Sequence, residues 1–341
     1  MLKGQKIAKN ALIIFITILF AALLPGCGEK AAARTEQAFL LDTIVTVTYY
    51  RDDDRAAVLD ALDLCRDYEL VFSRTDARSE LYRLNASGSM AVSPALREVL
   101  ELALSYCAES GGRYDVTMGA VSALYDFSGE AHRPDGAALA RALSHVGWDG
   151  VRIEGDTVTL SDPEAVLDLG SVAKGWIADR MKDRLASRGV KHAILSLGGN
   201  ILTLGGRPDG KDYAVGIQYP ERDSTALAAT VRVRDASVVT SGVYERFFVE
   251  DGVTYSHLLD PATGLPLQNG LLAVSIVGPC SARCDALSTF CFALGLTDGL
   301  AYIDALDGYE ALFITEDQAR HRSAGFAALE EAWATEQIMK A

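Results

Sequence analysis

The stretch Ala193-Ile194-Leu195-Ser196-Leu197-Gly198-Gly199-Asn200-Ile201-Leu202-Thr203-Leu204 decides how this chain folds. Two apolar segments, Ala193–Leu197 and Ile201–Leu204, flank a Gly-Gly pair, which predicts two strands joined by a tight turn. The same reasoning predicts further strands at Phe39–Tyr50, Val166–Gly170, Tyr213–Ile217, Ala228–Val233, Ser237–Thr240, Phe247–Val249, Leu272–Val277 and Ala311–Thr315. Most of these strands follow one another with short connections, which favours antiparallel pairing.

Helical patterns are grouped separately from most of the strands. Helices are predicted at Ala56–Phe72, from Ser93-Pro94 to Gly111-Gly112, from Gly170 to Gly189, at Asp285–Leu294 and at Leu300–Leu306. Runs of strands set apart from helices indicate an α+β fold with a mostly antiparallel sheet. No repeat or low-complexity linker divides the chain, so one compact domain is expected over residues 38–335.

The N-terminus has the features of an export segment. Lys3, Lys6 and Lys9 precede the uncharged apolar run Ala11–Leu24, which is short for a membrane span and typical of a secretory signal peptide. The ending Leu24-Pro25-Gly26-Cys27 resembles a bacterial lipobox. We therefore expect residues 1–26 to be a lipoprotein signal peptide, and residues 27–37 to be a lipidated N-terminus, with the lipid on Cys27, and a spacer. An uncleaved N-terminal anchor is the alternative, and either arrangement places the protein on the extracytoplasmic face of a bacterial cell membrane.

Charge and cysteine content restrict the partners. Without the three signal lysines, 46 acidic residues oppose 29 basic ones (32 − 3), a net charge near −17. Such an acidic chain lacks the basic surface that nucleic acid binding requires.

The cysteines after Cys27 are odd in number, so at least one thiol is unpaired. Cys280-x3-Cys284 has no second Cys/His pair nearby, which makes zinc an unsuitable metal and leaves a disulfide bridge or buried thiols open.

The residues best suited to catalysis lie in the C-terminal half. His257 is in a turn-rich loop, Ser256-His257-Leu258-Leu259-Asp260-Pro261-Ala262-Thr263-Gly264-Leu265-Pro266, and is a candidate general base because the ordinary pKa of histidine is close to neutrality. Asp285 and Thr289 are at i and i+4, so a helix places both oxygens on one face, and hard oxygen ligands suit Mg²⁺. The alternatives are that His257 only satisfies turn carbonyls, that Asp285 caps the start of a helix, and that Thr289 is a buried hydroxyl.

Other motifs have chemistry that depends on their context. The stretch Leu167–Trp176 forms a strand–turn–helix junction, and a helix N-terminus there could bind phosphate, although the spacing is not that of a Walker loop. Taken alone, the stretch favours an ordinary tight turn. Three more segments stand out: Phe72-Ser73-Arg74 followed by Ser79–Asn85, Gly112-Arg113-Tyr114-Asp115-Val116-Thr117, and Val239–Phe247.

Taken in order, these motifs make the chain similar to the ApbE family, the FAD:protein FMN transferases, over roughly residues 38–316. The resemblance implies a T-fold-like domain and Mg²⁺-dependent transfer of FMN from FAD to a Thr or Ser hydroxyl, with release of AMP. It further implies that Lys174 contacts FAD and that the Ser171 carbonyl, Asp285 and Thr289 hold the metal. Asp285 and His257 would then be the catalytic residues. The remaining FAD contacts it implies are Leu41, Ser73, Asp115, Val116, Thr117, His257 and Leu259.

Two segments depart from the family pattern. Leu41-Asp42-Thr43 replaces Met-Gly-Thr, and Leu124-Tyr125-Asp126-Phe127 replaces Leu-Trp-Gly-Phe. Both positions lie near the flavin in relatives. FAD is a substrate in this reaction, and the expected partners are membrane or extracytoplasmic protein subunits with an acceptor Thr or Ser. An FAD pyrophosphatase and a non-catalytic FAD-binding lipoprotein are the alternative functions.

Overall fold

A computed structural model describes residues 32–127, 131–221 and 226–330. The predicted lipidation site, Cys27, and the signal segment before it lie outside the described residues. The strands are β1 (Arg34–Leu40), β2 (Thr43–Tyr49), β3 (Ser89–Ala91), β4 (Val151–Glu154), β5 (Thr157–Leu160), β6 (Ala193–Leu197), β7 (Asn200–Leu204), β8 (Tyr213–Gln218), β9 (Leu227–Val233), β10 (Ser237–Gly242), β11 (Phe247–Glu250), β12 (Val253–Ser256), β13 (Leu271–Gly278), β14 (Glu310–Thr315) and β15 (Arg320–Arg322).

The helices surround these strands. They are α1 (Arg55–Phe72), α2 (Glu80–Ser87), α3 (Pro94–Glu109), α4 (Gly119–Tyr125), α5 (Gly136–Leu143), α6 (Ala173–Ser187), α7 (Ser281–Leu294), α8 (Leu296–Asp304) and α9 (Phe326–Leu329), with short 3₁₀ turns at Asp52–Asp54 and Trp148–Gly150. Within the described residues, no helix is both long and apolar enough to cross a bilayer.

An eight-stranded sheet forms the centre of the fold, in the order β1-β2-β6-β7-β10-β13-β14-β15. Neighbouring strands in it pair antiparallel, including β6 with β7 across Gly198-Gly199. The predicted α+β fold with a mostly antiparallel sheet is therefore confirmed. Three smaller sheets accompany it: β3-β5-β4, the β8–β9 ribbon and the β11–β12 ribbon.

Each face of the central sheet has its own core. On one face, α1, α6 and α7 pack around fully buried side chains such as Ile177, Leu195 and Phe290. On the other, the β8–β9 ribbon and α9 cover Val238, Leu312 and neighbouring residues. Burial of apolar area on both faces, at roughly 25 cal/mol per Å², fixes the helices on the sheet. The positions of α6 and α7 are thereby set relative to β10 and β13.

Two strand predictions are wrong in instructive ways. Phe39–Tyr50 is not one strand but the β1–β2 hairpin, whose turn residues Leu41 and Asp42 both adopt φ of 56°. Non-glycine residues are uncommon in this left-handed region, so no local pattern predicted the turn. Val166–Gly170 is not a strand, because within the described residues it forms one isolated parallel bridge, Met118 with Val166.

Helix α7 begins earlier than predicted. It starts at Ser281, four residues before Asp285, and Asp179 of α6 caps it by accepting hydrogen bonds from the backbone N–H groups of Ser281 (3.0 Å) and Ala282 (2.9 Å). Asp285 is therefore not a helix-start cap, and the i, i+4 spacing to Thr289 lies within the helix.

The cysteines that the structure describes are all free thiols: Cys65, Cys107, Cys280, Cys284 and Cys291. This answers the question of a disulfide bridge that the sequence left open.

Candidate active site

Asp285 lies at the contact between α6 and α7. Its side chain is 4% exposed, and Oδ2 accepts a hydrogen bond of 2.8 Å from the backbone N–H of Gly175. Oδ1 lies 4.0 Å from Nζ of Lys174. Burial raises the pKa of the Asp285 carboxyl, while the Lys174 charge and the Gly175 N–H act to lower it. The result is a buried carboxylate beside a lysine and the first turn of a helix, where negative charge is stabilised.

Gly175 is the residue that allows this approach. A Cβ at this position would lie 2.2 Å from the Ser281 carbonyl oxygen and 2.7 Å from Cβ of Asp285. Both neighbours belong to α7, so any larger residue would separate the two helices. The glycine in the Lys174-Gly175 pair therefore brings the α6 N-terminus onto the carboxylate.

The loop before α6 is held by its own hydrogen bonds. Nζ of Lys174 donates to the Gly170 carbonyl (2.9 Å), and the Gly170 N–H donates to Asp168 (2.9 Å). Arg74 donates to the other Asp168 oxygen at 3.1 Å. Oγ of Ser171 lies 2.7 Å from the hydroxyl of Tyr114, a residue that is 4% exposed. The loop that carries the predicted metal-binding carbonyl is thus fixed from two sides.

Thr289 lies one turn after Asp285, as predicted, and contacts strand β10. Its hydroxyl is 3.1 Å from Oγ of Ser241, which is also 2.7 Å from Oγ of Ser288. Ser288 in turn donates to the Asp285 carbonyl at 2.8 Å. The sequence placed Ser241 inside the Val239–Phe247 motif without giving it a role, because its contact to α7 joins residues 48 positions apart.

His257 follows β12, and its backbone N–H donates to the Arg246 carbonyl at 3.0 Å. The imidazole is edge-on to Phe127, with 6.4 Å between ring centroids, and its Nδ1 is buried without a hydrogen-bond partner in the described structure. Burial, together with the positive charges of Arg246 and Lys174, lowers the pKa of His257 to about 4. A pKa this far below the ordinary value of histidine keeps the ring neutral at pH 7, so it can accept a proton without first losing one.

Glu245 belongs to the same group of charges. Although the residue as a whole is exposed, desolvation by the surrounding protein is the largest cause of its raised pKa, with Lys174 opposing and Asp285 reinforcing the shift. The sequence placed Glu245 inside a motif without giving it a role. Lys174 interacts electrostatically with Asp285, His257 and Glu245, so we treat these residues as one candidate active site.

The Asp115 segment has a different character. Asp115 accepts hydrogen bonds from the Thr117 N–H (2.8 Å), the Thr117 hydroxyl (2.6 Å) and the Trp148 N–H (3.1 Å). The Thr117 hydroxyl also accepts from the Gly147 N–H at 2.9 Å. These side chains join two loops inside the protein. The segment approaches the Asp168 loop through its backbone, since the Val116 carbonyl accepts the Asp168 N–H at 2.8 Å.

The other predicted FAD contacts, Leu41, Ser73 and Leu259, each have local partners. Ser73 ends α1, and its Oγ accepts the Asp76 N–H at 3.1 Å. The backbone N–H of Leu41 donates to Glu69 at 2.8 Å, and Leu259 packs in an aromatic cluster with Tyr125, Phe127 and Phe248. Within the described part of the chain, no hydrogen bond joins Leu41, Ser73 or Leu259 to Asp285, so their role in binding FAD stays a prediction.

The donor set fits Mg²⁺. Within the residues that the structure describes, no group of three or more His, Cys, Asp and Glu side chains is arranged to hold a metal ion. Mg²⁺ instead uses one or two carboxylates and keeps water and phosphate oxygens as its other ligands. Asp285, the Thr289 hydroxyl and a carbonyl of the Ser171 loop are hard oxygen donors of that kind, next to a lysine suited to a phosphate.

Comparison with known proteins gives one consistent result. The model of the ApbE family matches residues 41–313. The FAD:protein FMN transferase of Treponema pallidum (strain Nichols) is 36% identical over 325 residues, covering 88% of this chain and 90% of that protein. The solved structure of the flavin transferase ApbE from Vibrio cholerae has a TM-score of 0.79 at 27% identity, covering 88% of this chain and 99% of that one.

A crystal structure of the ApbE protein from Thermotoga maritima agrees, with a TM-score of 0.81 at 26% identity and coverage of 88% of this chain and 100% of that one. The family match spans most of the chain and includes Lys174, His257, Asp285 and Thr289. This chain belongs to the ApbE family.

Proposed function

We propose that this protein is an FAD:protein FMN transferase that moves FMN from FAD to a Thr or Ser hydroxyl of an acceptor protein and releases AMP. The observation that carries the proposal is the set of charges around Lys174, which lies 4.0 Å from Asp285 and interacts electrostatically with His257, in a chain of the ApbE family. Its relatives from Treponema pallidum and Klebsiella pneumoniae are named FAD:protein FMN transferases.

The residues divide the reaction between them. The acceptor oxygen forms a bond to the FMN phosphorus while the bond from that phosphorus to the AMP oxygen breaks, and AMP leaves with the electron pair. Neutral His257 takes the proton of the attacking hydroxyl. Lys174 and the N-terminus of α6 stabilise the negative charge that develops on the phosphate oxygens.

Asp285, Thr289 and the Ser171 carbonyl would hold the Mg²⁺ ion. Bound there, Mg²⁺ supplies positive charge that neutralises the pyrophosphate of FAD. The helix contact at Gly175 keeps the carboxylate in place before substrate arrives. Preorganisation of this kind is what makes electrostatic stabilisation effective.

One assay tests the proposal. The protein is incubated with FAD, Mg²⁺ and candidate extracytoplasmic subunits, and transfer is read as in-gel flavin fluorescence while AMP is quantified. We expect a fluorescent acceptor and one AMP per flavin transferred, with no label on an acceptor whose target Thr or Ser is replaced by Ala. AMP release without acceptor, at an undiminished rate, would instead indicate a pyrophosphatase, and FAD binding without AMP would indicate a storage protein.

We also propose that the protein is a lipoprotein on the extracytoplasmic face of the membrane, anchored through Cys27. The support is the segment of residues 1–26, with its apolar run and the Leu24-Pro25-Gly26-Cys27 ending. Cys27→Ser should release the protein from membrane fractions or block its processing. A variant that matures and fractionates like wild type would contradict this proposal.

A further inference from the structure

We propose that Ser241, which contacts neither the FAD nor the metal in the proposed reaction, is a positioning residue that orients the Thr289 hydroxyl for metal binding. The inference rests on the proposed function, because it assigns Ser241 a role toward the metal that Thr289 would hold. Its basis is a line of hydroxyl groups between α7 and β10 that the proposed mechanism does not use.

The line consists of three contacts. The Thr289 hydroxyl is 3.1 Å from Oγ of Ser241, Ser241 is 2.7 Å from Oγ of Ser288, and Ser288 is 2.8 Å from the Asp285 carbonyl oxygen. Ser288 is fully buried and Ser241 is 8% exposed, so water has little access to either hydroxyl. Buried hydroxyl groups must find their hydrogen-bond partners within the protein.

The proton count gives the line a direction. A carbonyl oxygen only accepts, so the contact of Ser288 with Asp285 uses the Ser288 proton. The contact between Ser241 and Ser288 then needs the Ser241 proton, and the contact between Thr289 and Ser241 needs the Thr289 proton. With three hydroxyl protons and three contacts, this is the single arrangement in which every contact is a hydrogen bond.

The direction matters for a cation. Because the Thr289 proton points at Ser241, the remaining lone pairs of Oγ1 are available on its other side. A hydroxyl that binds a metal ion must present a lone pair and direct its proton elsewhere, and such outer partners typically change metal affinity 10–100-fold when they are removed. Ser241 would thus supply what an isolated threonine lacks, a fixed acceptor for its proton.

The same strand offers a matched control. Thr240, the neighbour of Ser241, makes a hydroxyl contact of 2.7 Å with Ser275 of β13, and Ser275 is fully buried. Since side chains alternate along a strand, this pair lies on the opposite face of β10 from Ser241 and away from α7. Ser275→Ala therefore removes a hydroxyl contact to the same strand, as short as that between Ser241 and Ser288, without touching the line to Thr289.

The experiment is a Mn²⁺ titration of the FAD-loaded protein without acceptor, with free Mn²⁺ measured by electron paramagnetic resonance. We expect Ser241→Ala to weaken Mn²⁺ binding about 10–100-fold, and Ser275→Ala to leave it unchanged. Thr289→Val should weaken Mn²⁺ binding by the same factor or more. In the Thr289→Val background, Ser241→Ala should weaken Mn²⁺ binding no further, because the hydroxyl on which Ser241 acts is gone.

The outcomes separate this inference from the proposed function. Mn²⁺ binding by Ser241→Ala equal to wild type, or an equal loss in both Thr289 backgrounds, would overturn the positioning role while the metal site stands. Wild-type protein that binds no Mn²⁺ would overturn both. If Ser241→Ala fails to fold, Ser241→Cys leaves a weaker sulfur acceptor for the Thr289 proton, and an intermediate loss of affinity is expected, whereas no loss would refute the role.

Discussion

The two sides of the candidate active site, around Asp285 and around His257, are built differently. On one side, Asp285 lies in the contact of α6 with α7, is 4% exposed, and is bonded to the Gly175 N–H. On the other, His257 follows the β11–β12 ribbon, whose strands pair only with each other among the described strands and whose Val249 and Val253 are 59% and 45% exposed.

This difference separates binding from proton transfer. The α6–α7 side is fixed by buried hydrogen bonds and close helix contact, so it can hold phosphate and metal in one geometry. The ribbon side contacts the rest of the protein through aromatic side chains, such as Phe248 against Phe127 at 5.8 Å between ring centroids. Substitutions on the first side should therefore change affinity and fold, and those on the second should mainly change rate.

The largest effect is expected for Asp285→Ala. Loss of the carboxylate would remove a ligand of Mg²⁺, and without the bound ion the pyrophosphate charge is uncompensated. We therefore expect transfer to be abolished, with at least roughly 3 kcal/mol of transition-state stabilisation lost. The measurement is AMP release and acceptor flavinylation over a range of Mg²⁺ concentrations. Asp298→Ala serves as the control, because this aspartate pairs with Arg113 at the surface. Ordinary Mg²⁺-dependent activity in Asp285→Ala would exclude this residue from the site.

His257→Ala tests the other side of the comparison. If His257 accepts the proton of the attacking hydroxyl, transfer should slow roughly 10²–10⁴-fold, while FAD affinity changes little because Lys174 and Asp285 remain. Both quantities are measured on one preparation, with His321→Ala in edge strand β15 as the control. Normal transfer by His257→Ala refutes the role as base, and loss of FAD binding makes His257 a binding residue instead.

The sequence predicted the two sides with unequal success. Asp285 and Thr289 could be recognised because helical spacing alone places them on one face. The Leu41-Asp42 turn could not, since both residues adopt a left-handed conformation that is uncommon outside glycine. Ser241 and the lowered pKa of His257 depend on contacts between elements far apart in the chain, which no local pattern reports. The side chains of Asp115 and Thr117 join two loops, a role that the local pattern did not predict, and their contact with the flavin stays a prediction.

Gly175→Ala should disturb the α6–α7 side and leave the ribbon side unchanged. The added Cβ would lie 2.2 Å from the Ser281 carbonyl oxygen, so α6 and α7 must move apart. Overpacking of this kind typically costs about 1–3 kcal/mol of stability, and we expect weaker metal and FAD binding as well. Thermal unfolding and Mn²⁺ titration measure both effects. Gly136→Ala is the control, because its Cβ would meet no atom within 4 Å. Equal behaviour of the two variants would contradict the close helix contact.

The smallest effect, and the finest test, is the pH dependence of kcat/KM for FAD, which reports ionisations of the free enzyme. A pKa of about 4 keeps His257 neutral and able to accept a proton throughout pH 5–8. The activity due to this residue should therefore be flat in that range and fall only as the pH approaches 4 and the ring becomes protonated.

Glu245 is the group that could obscure this result, because its pKa is raised above the ordinary range of a carboxyl. Glu245→Gln removes that ionisation, so any inflection near neutrality that comes from Glu245 should disappear in the variant. An inflection near pH 6.5 that survives Glu245→Gln and vanishes in His257→Ala would show that His257 has an ordinary pKa. The imidazole would then lie in a more hydrated setting than its contact with Phe127 and its buried Nδ1 indicate. A flat profile in Glu245→Gln, with a loss only below pH 5, would instead establish that the ribbon side holds a neutral base next to the charges of the helix side.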